Sequence, residues 1–115
     1  KRAWGRDDLD AFDAFGTPTA ESIPVVRKHC PDKLVIGSGG VRTGVDAVKA
    51  LALGADMVGA ARPLLRPATE SEEAVIRWLR RFREEMRLAA FCAGAPDLDA
   101  LRELELLETP LTKLT

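Results

Sequence analysis

Apolar residues along this chain change spacing as it proceeds, and each change predicts an element. After Thr17-Pro18-Thr19, Ala20, Ile23, Val26 and Arg27 follow helical spacing as far as His29-Cys30, as one face of a 3.6-residue period requires. Pro18 sits near the first turn, where a missing N–H costs little. Pro24 is early enough to be tolerated, and Pro31-Asp32 stop the helix. Residues 33–36 then form a short β-branched run between Pro31 and Gly37, which predicts a strand. Its apolar residues follow one another without alternation, the pattern of a strand covered on both faces in a parallel sheet.

Helical spacing returns over 43–53, with Val45, Val48, Leu51 and Ala52 on one stripe and Gly54 as the C-cap candidate. A second strand is predicted over 56–60. Residues 72–93 form a long amphipathic helix. Its apolar positions are Val75, Trp78, Leu79, Phe82, Met86, Ala89 and Ala90, and its other face carries five arginines with Glu84 and Glu85. Gly94 closes that helix, residues 97–107 are expected to hold one more short helix, and Thr109-Pro110 ends regular structure. Residues 1–16 carry no strong element. The order helix–strand–helix–strand–helix is the rhythm of a parallel α/β fold.

Composition narrows the class without naming a chemistry. Of 115 residues, 46% are hydrophobic and 30% charged, which suits a packed globular chain and excludes wholesale disorder. A formal net charge of −1 gives no general attraction for nucleic acid or acidic lipid. No apolar run approaches a membrane span, and Lys1-Arg2 is not followed by a signal-peptide core. Neither nucleic acid nor membrane is therefore expected as a partner. Cys30 and Cys92 match no metal or redox spacing, so a reducing cytoplasm is the expected compartment. Two parallel strands do not make a stable sheet alone, and position 1 is not Met. Residues 1–115 are accordingly expected to be the C-terminal part of one larger domain.

Candidate chemistry concentrates at two strand ends. The first runs Leu34-Val-Ile-Gly-Ser-Gly-Gly-Val-Arg42 and the second Asp56-Met-Val-Gly-Ala-Ala-Arg-Pro63. Glycines 39 and 40 let a ligand approach the main chain, and a helix opened by such a turn presents partial positive charge to an anion. Arg42 adds a charge-assisted contact to a phosphate oxygen. On spacing alone, a tight βα turn with purely structural glycines remains equally open. The order is not Gly-x-Gly-x-x-Gly, and no Gly-Lys-Ser/Thr occurs, which removes the dinucleotide fingerprint and the P-loop. The small residues before Arg62 tip the balance. In a (β/α)8 barrel, the loops after strands seven and eight often build a phosphate site, and two successive βα units would supply them. The plain alternative for Arg62-Pro63 is a surface arginine before a helix stop.

Other candidates carry less. His29 and Cys30 are adjacent on a helix and do not face each other, so the expectation is a surface histidine beside a packed cysteine. Asp7-Asp8-Leu9-Asp10 has no confining glycine loop and reads as a solvated stretch. Trp78, Phe82 and Met86 read as core or interface.

The runs Gly16-Thr-Pro-Thr-Ala20, Ser38-Gly-Gly-Val-Arg-Thr-Gly44, Lys49-Ala-Leu-Ala-Leu-Gly-Ala55 and Ala61-Arg-Pro63 resemble type 2 isopentenyl-diphosphate isomerase. The likeness extends over most of residues 14–115, and Ala61-Arg-Pro-Leu-Leu-Arg-Pro67 and the long helix narrow it to that family. The resemblance implies a TIM (β/α)8 barrel, of which this chain supplies about the last two βα units plus C-terminal helices. It further implies FMN, Mg2+ and NADPH as cofactors, a small diphosphate substrate and a homo-oligomer. Residue by residue, Gly40, Val41 and Arg42 would line the FMN phosphate through the first loop, and Ala61 and Arg62 through the second. No catalytic residue and no metal ligand falls in this chain, so the segment alone is expected to be inactive. An FMN-binding oxidoreductase of the hydroxy-acid oxidase type is the enzyme alternative. A non-catalytic interaction module is the other.

Overall fold

A computed structural model describes residues 16–106. Seven elements follow in order: α1 (Thr19–His29), β1 (Ile36–Ser38), α2 (Gly44–Ala52), β2 (Met57–Gly59), α3 (Arg62–Glu70), α4 (Glu72–Cys92) and α5 (Leu98–Arg102). The strands pair in parallel, Ile36 opposite Met57, Gly37 opposite Val58 and Ser38 opposite Gly59. The α/β rhythm is thus present. The predicted stretches at 1–15, including Asp7-Asp8-Leu9-Asp10, and at 107–115, including Thr109-Pro110, lie outside the described residues.

The first strand starts later than its apolar run. The side chain of Asp56 accepts the Val35 N–H at 2.8 Å, while the Asp56 N–H donates to the Val35 carbonyl at 2.8 Å. That exchange replaces a ladder step, so regular pairing begins at Ile36. Nor is the sheet covered on both faces by the described residues. Val35 and Gly37 are buried, whereas Leu34, Ile36 and Met57 are each more than half exposed. The pattern is alternation, with one face packed and one open.

Two apolar clusters hold the packed side. Ile23 of α1 meets Ala50 of α2 and Ala55 before β2. Val48 and Leu51 of α2 meet Ala95 and, from α5, Leu101. Because α2 is gripped from two directions, Ala47, Val48, Ala50 and Leu51 are all buried, and Val45, predicted on its apolar stripe, points outward. At the opposite end of the strands, Arg27 ties α1 to both. It donates to the carbonyls of Gly54, Pro31 and Lys33 and pairs with the Asp56 carboxylate. Cys30, expected to be packed, is exposed.

Helix α3 was not predicted, because Arg62-Pro63 read as a candidate helix stop. Pro63 instead lies in the first turn, where its absent N–H is no loss. Ser71 ends α3 and begins α4, donating its N–H to the Pro67 carbonyl and accepting the Ala74 N–H on its hydroxyl. On α4, Trp78 and Phe82 stack with ring centroids 4.9 Å apart, and Leu79, predicted apolar-facing, is half exposed. The last helix is shorter than expected, with Asp97 as its cap. Among the described residues no helix is long and apolar enough to cross a membrane.

Candidate functional site

The two strand ends meet. A cleft of about 240 Å³ opens where β1 and β2 finish, lined by Ser38, Gly39, Gly40, Val41 and Arg42 from one loop and by Gly59, Ala61, Arg62 and Pro63 from the other. All five residues expected to line a phosphate site therefore border one space. Arg42 and Arg62 face a second, confluent space with Pro63. Their side chains form no hydrogen bond or ion pair with any described residue.

Backbone shape explains the glycines. Gly39 and Gly40 have φ of +98° and +76°, in the left-handed region where a Cβ is strained. At Gly39 a Cβ would also meet the Thr19 hydroxyl at 2.9 Å; at Gly40 nothing lies within 4 Å. The main chain at Gly40 is thus bare toward the cleft.

The donors are not those the sequence suggested. The start of α2 was expected to offer its N–H groups to an anion, but it is closed by the chain's own carboxylates. Asp46 Oδ2 accepts the Arg42 and Thr43 N–H groups at 3.0 Å each. It also takes the Thr43 hydroxyl at 2.9 Å, while Thr43 Oγ1 accepts the Asp46 N–H at 3.2 Å. This is a capping box. Burial pushes the Asp46 carboxyl up, but the bonds from Arg42 and Thr43 and the Lys49 charge outweigh it, so its pKa falls below the ordinary 3.8. Gly44 N–H is taken by Glu85 Oε2 of α4 at 2.9 Å. Donors left over are the N–H groups of Gly40, Val41, Ala61 and Arg62, which bond no described residue. Ala61 and Arg62 stand at the start of the nine-residue α3, so the helix dipole that favours an anion here is that of α3.

Thr43 and Asp46 were thus missed as part of the site. The signal existed in sequence, a threonine followed three residues on by a carboxylate. His29 bonds its own helix through Nδ1 and the Val25 carbonyl, outside this cleft. Among the described residues no group of three or more His, Cys, Asp or Glu side chains is placed to hold a metal.

Comparison with known proteins identifies the family. The family described as FMN-dependent dehydrogenase matches residues 13–108. An isopentenyl-diphosphate delta-isomerase of Mycobacterium marinum is 53% identical over 90 residues, covering 78% of this chain and 26% of that protein. One from Mycolicibacterium gilvum is 47% identical over 107 residues, covering 93% of this chain and 31% of that protein. The chain therefore spans between a quarter and a third of these relatives. Among solved structures, a mandelate oxidase carrying a monooxide FMN adduct superposes with a TM-score of 0.74 at 32% identity, covering 78% of this chain and 29% of that one. A mandelate oxidase with benzoyl-formic acid superposes at 0.71 and 31% identity, covering 76% and 27%.

Proposed function

Because the chain belongs to the FMN-dependent dehydrogenase family, we propose that its cleft holds the phosphate of FMN. The arrangement fits that group: bare backbone at Gly40, four uncommitted N–H donors, two unpaired guanidinium groups and the start of α3 all border one space. Gly40 and Val41 would donate main-chain hydrogen bonds from one loop, Ala61 and Arg62 from the other. Arg42 and Arg62 would supply the charge that offsets a dianion. Asp46 takes the Arg42 and Thr43 N–H groups just before α2 and Glu85 takes the Gly44 N–H, so the anion is directed toward the junction of the loops.

The whole protein, in this reading, interconverts isopentenyl diphosphate and dimethylallyl diphosphate. Reduced FMN, when bound, supplies proton transfer at the allylic carbon with no net redox change. This chain's residues bind and orient the cofactor. Residues 1–115 would be the C-terminal part of a (β/α)8 barrel, contributing its last two βα units. The open apolar face at Leu34, Ile36 and Met57 would then look into the barrel. Mg2+ and NADPH belong to the same proposal, as do a homo-oligomeric assembly and a cytoplasmic location, with no metal ligand assigned to this segment. The observation that carries the reading is the convergence of Gly40, Val41, Arg42, Ala61 and Arg62 on one cleft in a chain related to isopentenyl-diphosphate isomerases.

A second reading, oxidation of a 2-hydroxy acid, is favoured by the likeness to mandelate oxidase. One assay separates them. The protein expressed from its full reading frame is given isopentenyl diphosphate with reduced FMN and Mg2+, and in parallel a 2-hydroxy acid with oxidised FMN. Formation of dimethylallyl diphosphate, with no bleaching of flavin by the hydroxy acid, is expected. Bleaching of the flavin without isomer formation would overturn the isomerase reading.

A further inference from the structure

We propose that Glu85, on the long helix α4, is a positioning residue for the phosphate cleft, and that FMN affinity depends on its reach to Gly44. The inference rests on the reading of the cleft as a phosphate site. Glu85 does not itself line the cleft, and both its oxygens are committed. Oε2 accepts the Gly44 N–H at 2.9 Å, and Oε1 accepts the Arg81 Nε–H at 2.7 Å. At Gly44 the two helices touch main chain to main chain: an added Cβ would lie 2.4 Å from the Met86 nitrogen and 2.5 Å from the Phe82 carbonyl oxygen. Glycine at this position lets α4 come close enough for Glu85 to reach the first N–H of α2.

The consequence reaches Arg42 in two steps along the chain. Arg42 and Thr43 N–H are held by Asp46, and Gly44 N–H by Glu85, so three successive main-chain donors are fixed by two carboxylates. Immediately before them come Gly40 and Val41, which line the cleft and whose N–H groups bond no described residue. Arg42 also borders a small space of about 90 Å³ against Trp78, Arg81, Phe82 and Glu85, so its side chain stands between α4 and the phosphate cleft. Helix α4 thereby sets where the loop 39–42 ends. Electrostatics alone argues the other way, because a negative charge near a bound phosphate repels it. The sign of the effect therefore distinguishes positioning from charge.

The test uses the protein expressed from its full reading frame, with Glu85→Asp and Glu85→Gln compared with the unaltered protein. FMN and riboflavin affinities are read from flavin fluorescence, and the melting temperature is read without flavin. Glu85→Asp keeps the charge and shortens the reach by one methylene; Glu85→Gln loses the charge and keeps an oxygen for Gly44. The expected result is FMN binding about tenfold weaker in Glu85→Asp and within about twofold in Glu85→Gln, a span that corresponds to one decade of affinity. Riboflavin binding and melting should be unchanged in both. Unaltered FMN affinity in Glu85→Asp, tighter binding in Glu85→Gln, or equal losses for FMN and riboflavin would each overturn the inference. Should the unaltered protein hold riboflavin as tightly as FMN, the phosphate reading itself falls, a different failure.

Discussion

Among the described residues, Arg62 and Arg42 carry the guanidinium groups that line the cleft. Arg62→Ala is expected to weaken FMN binding by about 1–3 kcal/mol, the size of a lost charged hydrogen bond, in a fluorescence titration; riboflavin affinity should not move. Asp46 makes a separate prediction. Its pKa lies below 3.8 in the folded chain, so it adds stability above that value and loses it as pH falls through the folded value. Unfolding in urea should therefore show Asp46→Asn less stable on the order of 1 kcal/mol at pH 7, with the gap closing in acid. A gap that persists in acid would mean the carboxylate charge is irrelevant to the cap. At this scale the sequence was informative about which residues meet and misleading about which atoms are free. Glycine turn and arginine were legible because backbone shape demands those residue types. That the Gly44 N–H is spent on Glu85 was not, since Glu85 is 41 residues from Gly44 and nothing local ties them.

Among elements, the junction of α2 with α4 decides whether the site is held together. Gly44→Ala would put a Cβ against main-chain atoms of α4, which cannot rotate away as a side chain end could. Overpacking of this kind costs about 1–3 kcal/mol, so the melting temperature should fall by several degrees, and an unchanged one would show that α4 can slide. Helices with a clear apolar stripe and caps were legible: α2 and α4 begin and end within a residue or so of their predicted bounds. Elements without that pattern were not. Helix α3 carries two prolines, and only its position after a strand end lets Pro63 act as a start. Strand β1 was displaced toward Ser38 because the Asp56 carboxylate, not a backbone group, satisfies Val35. Tertiary pairing overrode a β-branched run.

At the scale of the molecule, the described residues form a two-stranded parallel sheet covered on one side only. Leu34, Ile36 and Met57 on the other side call for a covering layer, and a barrel interior provides one. Family membership and the superposition on mandelate oxidase point to the same architecture. The proposed seat of the cofactor's phosphate is the place where the ends of β1 and β2 meet the start of α3. A crystal structure of the protein from its full reading frame with FMN bound tests it most directly. The phosphate oxygens should lie about 3 Å from the N–H groups of Gly40, Val41 and Arg62, between the Arg42 and Arg62 side chains. A phosphate found elsewhere, or seated on the start of α2 with the Asp46 carboxylate displaced, would contradict the account.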